Sequence, residues 1–182
     1  MKKLFSVALL SVLGYTANAQ QSSSATQGVQ LQLQNAIDIT FMANGSDVGP
    51  LVEMQFATIN DYVNGVESAN QELRVRSNKN FNVFVRTNAE NFTYTGSASP
   101  TPVMPVAGVL NLMVVSDLTG GTIPGPYSTS AYYTLRDFNI DLINNGSAGA
   151  DQRFTIKYQA TPGFSYPAGT YDVGVVYTAT QL

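Results

Sequence analysis

Residues 168–182, AGTYDVGVVYTATQL, decide how the chain is read. Tyr171, Val173, Val175 and Tyr177 fall on one face at period two, while Asp172, Gly174 and Thr178 fall on the other. Pro167 and Gly169 punctuate the start. This pattern predicts a strand that runs to the last residue. A strand with an apolar face must be paired and packed, or its edge recruits another chain. The question for function is whether its neighbour comes from the same molecule or from another.

Working outward, the alternation recurs along the chain. In VQLQLQNAIDITF, Val29, Leu31 and Leu33 alternate with glutamines, and Ile37, Ile39 and Phe41 continue the phase beyond Asn35. Two strand pieces are expected, about 28–34 and 36–42, or one long strand with a hinge at Asn35. Further strands are expected at 51–58 (Val52, Met54 and Phe56 inward), 71–77 (Leu73 and Val75 inward), 80–87 (Phe81, Val83 and Val85 inward), 109–115, 134–144 and 153–160. Asn78-Lys79 suggests a tight hairpin, and Asn64-Gly65 signals another turn. The segments 44–50, 97–105, 119–130 and 144–151 are rich in Gly, Pro and Asn and read as loops. No sustained helical period appears. Short strands with turns about every ten residues predict an all-β fold, an immunoglobulin-like antiparallel β-sandwich.

The chain begins with MKK, an apolar run and ANA before Gln20, the pattern of a secretory signal peptide ending at Ala19. The apolar run is shorter than the ~20 residues of a membrane span, and no Cys follows for lipid attachment. Three segments are expected: 1–19 as signal peptide, 20–35 as polar leader with an alternating apolar segment, and 36–182 as the sandwich domain. The destination is outside the cytoplasm, without a membrane anchor. Loss of Lys2 and Lys3 moves the net charge from −3 to about −5, which argues against nucleic-acid binding. Charged residues make up 12% of the chain, about half the usual share, so copies repel one another weakly.

Catalytic chemistry is sparse. There is no Cys and no His, which removes the thiol nucleophile, the commonest general base and most transition-metal sites. Asp137/Asp141 and Asp117/Asp151 are carboxylate pairs without a placed acid or base partner. The turns 44–47 and 144–151 lack the repeated spacing of a calcium loop. Lys79 and Lys157 lie near Asn and Asp, but the spacing selects no isopeptide pair. Ten Tyr and nine Phe could stack on sugars, yet most stand at inward positions. No enzyme, cofactor or metal is expected.

The two ends and the strand count resemble subunits of donor-strand-complemented fibres such as chaperone–usher pilins. Gly169 stands fourteen residues from the end, as the glycine of that family's terminal strand does. Gln181 stands where those pilins carry an aromatic residue, and their disulfide has no counterpart. The ending YPAGTYDVGVVYTATQL is also similar to spore-coat-U-type secreted sandwich domains, which share the Ala-Gly-Thr-Tyr opening. The resemblance implies a sandwich lacking one strand, filled by the leading segment of a sibling through β-augmentation. Val29, Leu31 and Leu33 would be the donor. Gly169, Tyr171, Val173, Val175 and Tyr177 would border the acceptor groove. The partner implied is the chain itself, forming a surface fibre or pilus with help from a periplasmic chaperone or assembly factor. The alternative is a monomeric carbohydrate-binding or adhesin module using the loop 119–133.

Overall fold

In a computed structural model, residues 22–182 are described; the expected signal peptide, 1–19, lies outside them. The sandwich unit spans Gln34–Leu182. Its elements, in chain order, are β1 (Ile37–Phe41), α1 (Ile59–Asn64), β2 (Val66–Glu67), β3 (Gln71–Ser77), β4 (Phe81–Thr87), β5 (Thr93–Thr95), β6 (Leu110–Asp117), β7 (Tyr133–Thr134), β8 (Ile140–Gly146), β9 (Gly149–Ala160), β10 (Thr170–Asp172) and β11 (Val175–Gln181). Among the described residues, no helix is long and apolar enough to cross a membrane.

The strands form an antiparallel β-sandwich, as the period-two patterning leads one to expect. One sheet has the order β1-β3-β9-β6-β7 with β2 also on β9; the other has the order β11-β4-β8; β10 and β5 form a separate pair. Side chains alternate across each strand, so each sheet turns one apolar face inward. Leu73 and Val75 of β3, Leu112 and Val114 of β6, and Phe154 and Ile156 of β9 meet Phe81, Val83 and Val85 of β4 and Leu142 and Ile143 of β8. All are at most 1% exposed, which is the burial of a close-packed interior. The pairing of β4 with β8 slips at Val83, leaving Leu142 as an extra residue, so Leu142 and Ile143 are both buried.

Several expectations are corrected. Asn78-Lys79 does not close a hairpin: β3 and β4 lie in opposite sheets, and the turn carries the chain across the core. Alternation within each strand is the same either way. The expected strand 134–144 is two pieces. Leu135 is buried, its N–H donates to Leu110 O, and Thr87 N donates to Arg136 O, so the chain changes sheets here; Phe138 is left 60% exposed. The turn signal at Asn64-Gly65 ends a helix instead. Thr58 caps α1 in a reciprocal box with Asp61, and Gly65 closes it at φ 78°. Residues 51–56 show the expected alternation, with Val52, Met54 and Phe56 the less exposed, yet 51–58 belong to no ladder. Residues 28–34 carry no strand. The terminal strand is broken into β10 and β11. Asn88 clasps Gly174 at the break, its Oδ1 accepting from Gly174 N and its own N–H donating to Gly174 O, each at 2.9 Å.

Candidate functional site

The break in the terminal strand does not interrupt its open side. β11 pairs with β4 from Val175↔Thr87 to Gln181↔Phe81, and β10 pairs with β5. Along Thr170–Gln181 the opposite edge has no ladder partner among the described residues. Across a cleft from its first residues, at Gly169–Asp172, lies a second unpaired backbone, Leu51–Phe56. None of its N–H or C=O groups has a hydrogen-bond partner among the described residues. Val52, Met54 and Phe56 turn toward the core, while Leu51, Glu53 and Gln55 turn outward.

Between these two edges lies a cleft of about 560 Å³, with Leu51–Phe56 along one wall, Gly169–Asp172 along the other, and Phe92, Met104, Val109 and Ala160 at its floor. At the other end the gap is closed. Phe41 of β1 meets Tyr177 of β11 edge-on at 6.1 Å, and Gln181 Nε2 donates to Ala36 O at 2.9 Å. Val52, Met54 and Phe56 on the cleft wall are only partly buried, as are Val173, Val175, Tyr177 and Ala179 further along the terminal strand. Covering an aliphatic side chain is worth ~1.5–3 kcal/mol, and here that gain is incomplete.

The wall formed by residues 167–172 is fastened by aromatics. The Tyr94 hydroxyl donates to Ala168 O at 3.1 Å and accepts from Ala98 N at 3.1 Å. The Tyr171 hydroxyl donates to Pro167 O at 2.8 Å, and its ring lies 5.0 Å from that of Tyr94. Gly169 is needed for close approach: a Cβ there would come within 2.2 Å of the Tyr94 ring. Behind β11 the Tyr158 and Tyr177 hydroxyls share a hydrogen bond of 2.7 Å. Burial pushes Tyr158 up to about 12. Burial and the neighbouring Tyr158 push Tyr177 well above the ordinary tyrosine value.

The expected site residues therefore fall as follows. Val173, Val175 and Tyr177 are partly buried and pack on the core, but they do not line the cleft. Gly169 and Tyr171 line the cleft from the smaller β10–β5 sheet rather than from the sheet of Tyr177. Val29, Leu31 and Leu33 are 82%, 82% and 89% exposed. The sequence does not mark the opposing wall as part of a site: Val52, Met54 and Phe56 read as inward core residues, and period two cannot say whether the backbone between them is paired.

Other candidates gain nothing from the geometry. Asp137 is exposed, and Asp117 accepts from Thr119 N and Oγ1 within a turn. Among the described residues no group of three or more His, Cys, Asp or Glu could hold a metal. Lys157 pairs with Glu67 on an exposed sheet face. In the loop 119–133 Tyr127 is 2% exposed, and Tyr133 packs edge-on against it at 5.6 Å, so these rings serve packing. No protein-family model matches the chain, and no curated protein matches it.

Proposed function

We propose that the chain is a secreted structural subunit that assembles with copies of itself into a surface fibre, each copy lending residues 28–34 to the cleft of the next. The observation that carries this reading is the cleft between two backbone edges without a ladder partner on that side, Leu51–Phe56 and Gly169–Asp172. An inserted strand would pair both edges and cover their half-exposed side chains.

The leading segment fits in length and pattern. Six residues of wall extend about 20 Å, and the seven residues 28–34 about 23 Å. Val29, Leu31 and Leu33 repeat at the spacing of Val52, Met54 and Phe56, with glutamines between them. Burying three such aliphatic side chains is worth roughly 5–9 kcal/mol before the cost of ordering the segment. The donor comes from another copy. The chain enters β1 beside Gln181, at the end of β11 away from the cleft, and β1 is about 16 Å long. Asn35 alone cannot span that length. Donor root and acceptor cleft at opposite ends generate an open linear polymer rather than a closed pair.

Electron microscopy of the mature protein tests the reading. Fibres are expected from residues 20–182 and only monomers from a version lacking 20–34. Fibres from the shortened chain, or none from the intact one, would overturn it.

A further inference from the structure

The entry of the chain into the sandwich is clamped by two side-chain amides. Asn78, in the turn between β3 and β4, uses both ends of its amide: Oδ1 accepts from Ala36 N at 3.0 Å and Nδ2 donates to Gln34 O at 2.7 Å. The Asn78 backbone N–H donates to Ala36 O at 3.2 Å. Gln181, at the end of β11, places Nε2 2.9 Å from Ala36 O, 3.0 Å from Ser77 Oγ and 2.9 Å from Asn78 Oδ1. The backbone is thus held on both sides of Asn35, the residue whose place in the pattern suggests a hinge. A two-sided amide reads a backbone as a neighbouring strand would, so Asn78 takes the part of one more β-bridge beyond Ile37↔Ser77. The clamp refers to both sheets at once, to the first through Ser77 and Asn78 and to the second through Gln181.

We infer that Asn78 and Gln181 are positioning residues for assembly: they set the angle at which one subunit's residues 28–34 depart toward the next subunit. This rests on the fibre reading above. The only joint between the sandwich and its donor strand is then Asn35-Ala36. Left free, it would be a swivel, and angular error would accumulate from subunit to subunit. Clamped, it transmits the orientation of one sandwich to the next. The hydrogen bonds at Gln34 and Ala36 are largely exposed, so they add little to the stability of the sandwich itself; their effect is on direction.

The test uses the full mature chain. With no Cys present, Gln32→Cys and Ala150→Cys accept spin labels specifically, and dilution with unlabelled protein isolates distances within one subunit. A narrow distance distribution is expected in the parent and a broad one in Asn78→Ala/Gln181→Ala. Fibres of that double variant should form but lose at least about twofold in persistence length, as a clamped joint becomes a free linker. Asn78→Asp keeps the acceptor for Ala36 N and loses the donor to Gln34 O, and should fall between, which guards against misfolding of the double variant. Equal distributions in parent and double variant would overturn the inference, as would fibres of equal stiffness. If the parent forms no fibres, the fibre reading alone fails, and the distance distributions still decide whether the clamp directs the chain.

Discussion

The hydroxyls of Tyr158 and Tyr177 meet at 2.7 Å inside the sandwich and tie the centre of one sheet to the edge of the other. Tyr158 stands on β9, which is paired on both sides, and Tyr177 on β11, which is paired on one side only. The Tyr177 ring also lies 6.1 Å from Phe41 and 6.3 Å from Phe154. A strand paired along one edge only has half the ladder support of a central strand. The contacts on its inner face add to what holds it in register.

Tyr177→Phe should therefore cost stability. It removes one partner of a buried hydroxyl pair and leaves the other unsatisfied, worth about 1–3 kcal/mol. For a unit of this size that lowers the melting temperature by roughly 2–4 °C per kcal/mol. Removing both hydroxyls in Tyr158→Phe/Tyr177→Phe should cost less than the sum of the single changes, because no orphaned group remains. Denaturant unfolding of the three variants measures the difference.

Alkaline pH should destabilise the sandwich through the same pair. An unfolded tyrosine ionises near ~10, whereas burial holds Tyr158 up to about 12 and Tyr177 well above its ordinary value. Below the unfolded value both states keep the proton and stability is flat. Above it the unfolded chain loses protons first, so stability falls as pH rises through the folded values. With no His, little change is expected in the neutral range. On the acid side, hydrogen bonds from Arg76, Lys157 and Arg153 lower Asp38, Glu67 and Asp151. Their contribution is present above the usual carboxylate range and disappears as pH falls through the lowered values. Melting curves across pH, followed with tyrosinate absorbance, would show both limbs.

Gly169→Ala should loosen the cleft wall. The added Cβ would lie 2.2 Å from the Tyr94 ring, and that ring is held through its hydroxyl by Ala98 N and Ala168 O. Overpacking of this kind costs about 1–3 kcal/mol. The loss should appear in denaturant unfolding. Tyr94→Ala/Gly169→Ala should recover part of the overpacking term while losing the hydroxyl tether.

What the residues disclosed in advance was side-chain direction; what they concealed was pairing. The expected strand 71–77 coincides with β3, and its inward Leu73 and Val75 are 1% and 0% exposed, because alternation reports burial of one face directly. Alternation is blind to which strand lies alongside. It could not distinguish a hairpin at Asn78 from a crossing between sheets, nor show that Tyr171 and Tyr177 sit in different sheets on either side of the clasped Gly174. It identified Val52, Met54 and Phe56 as inward and said nothing of their unpaired backbone. The helix α1 is too short to show a period. Its capping pair Thr58 and Asp61 was readable from the spacing. Of the cleft, the wall at Gly169 and Tyr171 was thus legible in the sequence, and the wall at Val52, Met54 and Phe56 only as inward side chains.

Leu31→Asp or Leu33→Asp should abolish assembly and leave the subunit folded. These side chains are 82% and 89% exposed, so a charge there costs the sandwich nothing. In the cleft it would be desolvated without a partner, a penalty of several kcal/mol. Size exclusion should give a monomer with the parent melting temperature. Gln32→Asp, on the alternate face of the same segment, should assemble more nearly as the parent does. Equal loss in all three would point to simple charge repulsion rather than to a register.

A peptide copy of residues 28–34, GVQLQLQ, should both cap the fibre and stabilise the subunit. If the cleft between Leu51–Phe56 and Gly169–Asp172 accepts a strand, free peptide competes with the sibling's leader and terminates growth. It binds the folded state alone, so at about a hundred times its dissociation constant it should add roughly 2.7 kcal/mol. That corresponds to a rise of about 5–10 °C in melting temperature. The assembly-incompetent Leu31→Asp subunit is the right receiver, since its own cleft is intact while its leader cannot compete. Two controls locate the effect. The same peptide carrying aspartate in place of Leu31 should give no shift, and Met54→Asp in the receiver should remove the shift from the cleft side. A rise in melting temperature that survives Met54→Asp would mean that the peptide binds elsewhere. No rise at any peptide concentration would mean that the two open edges do not wait for this segment.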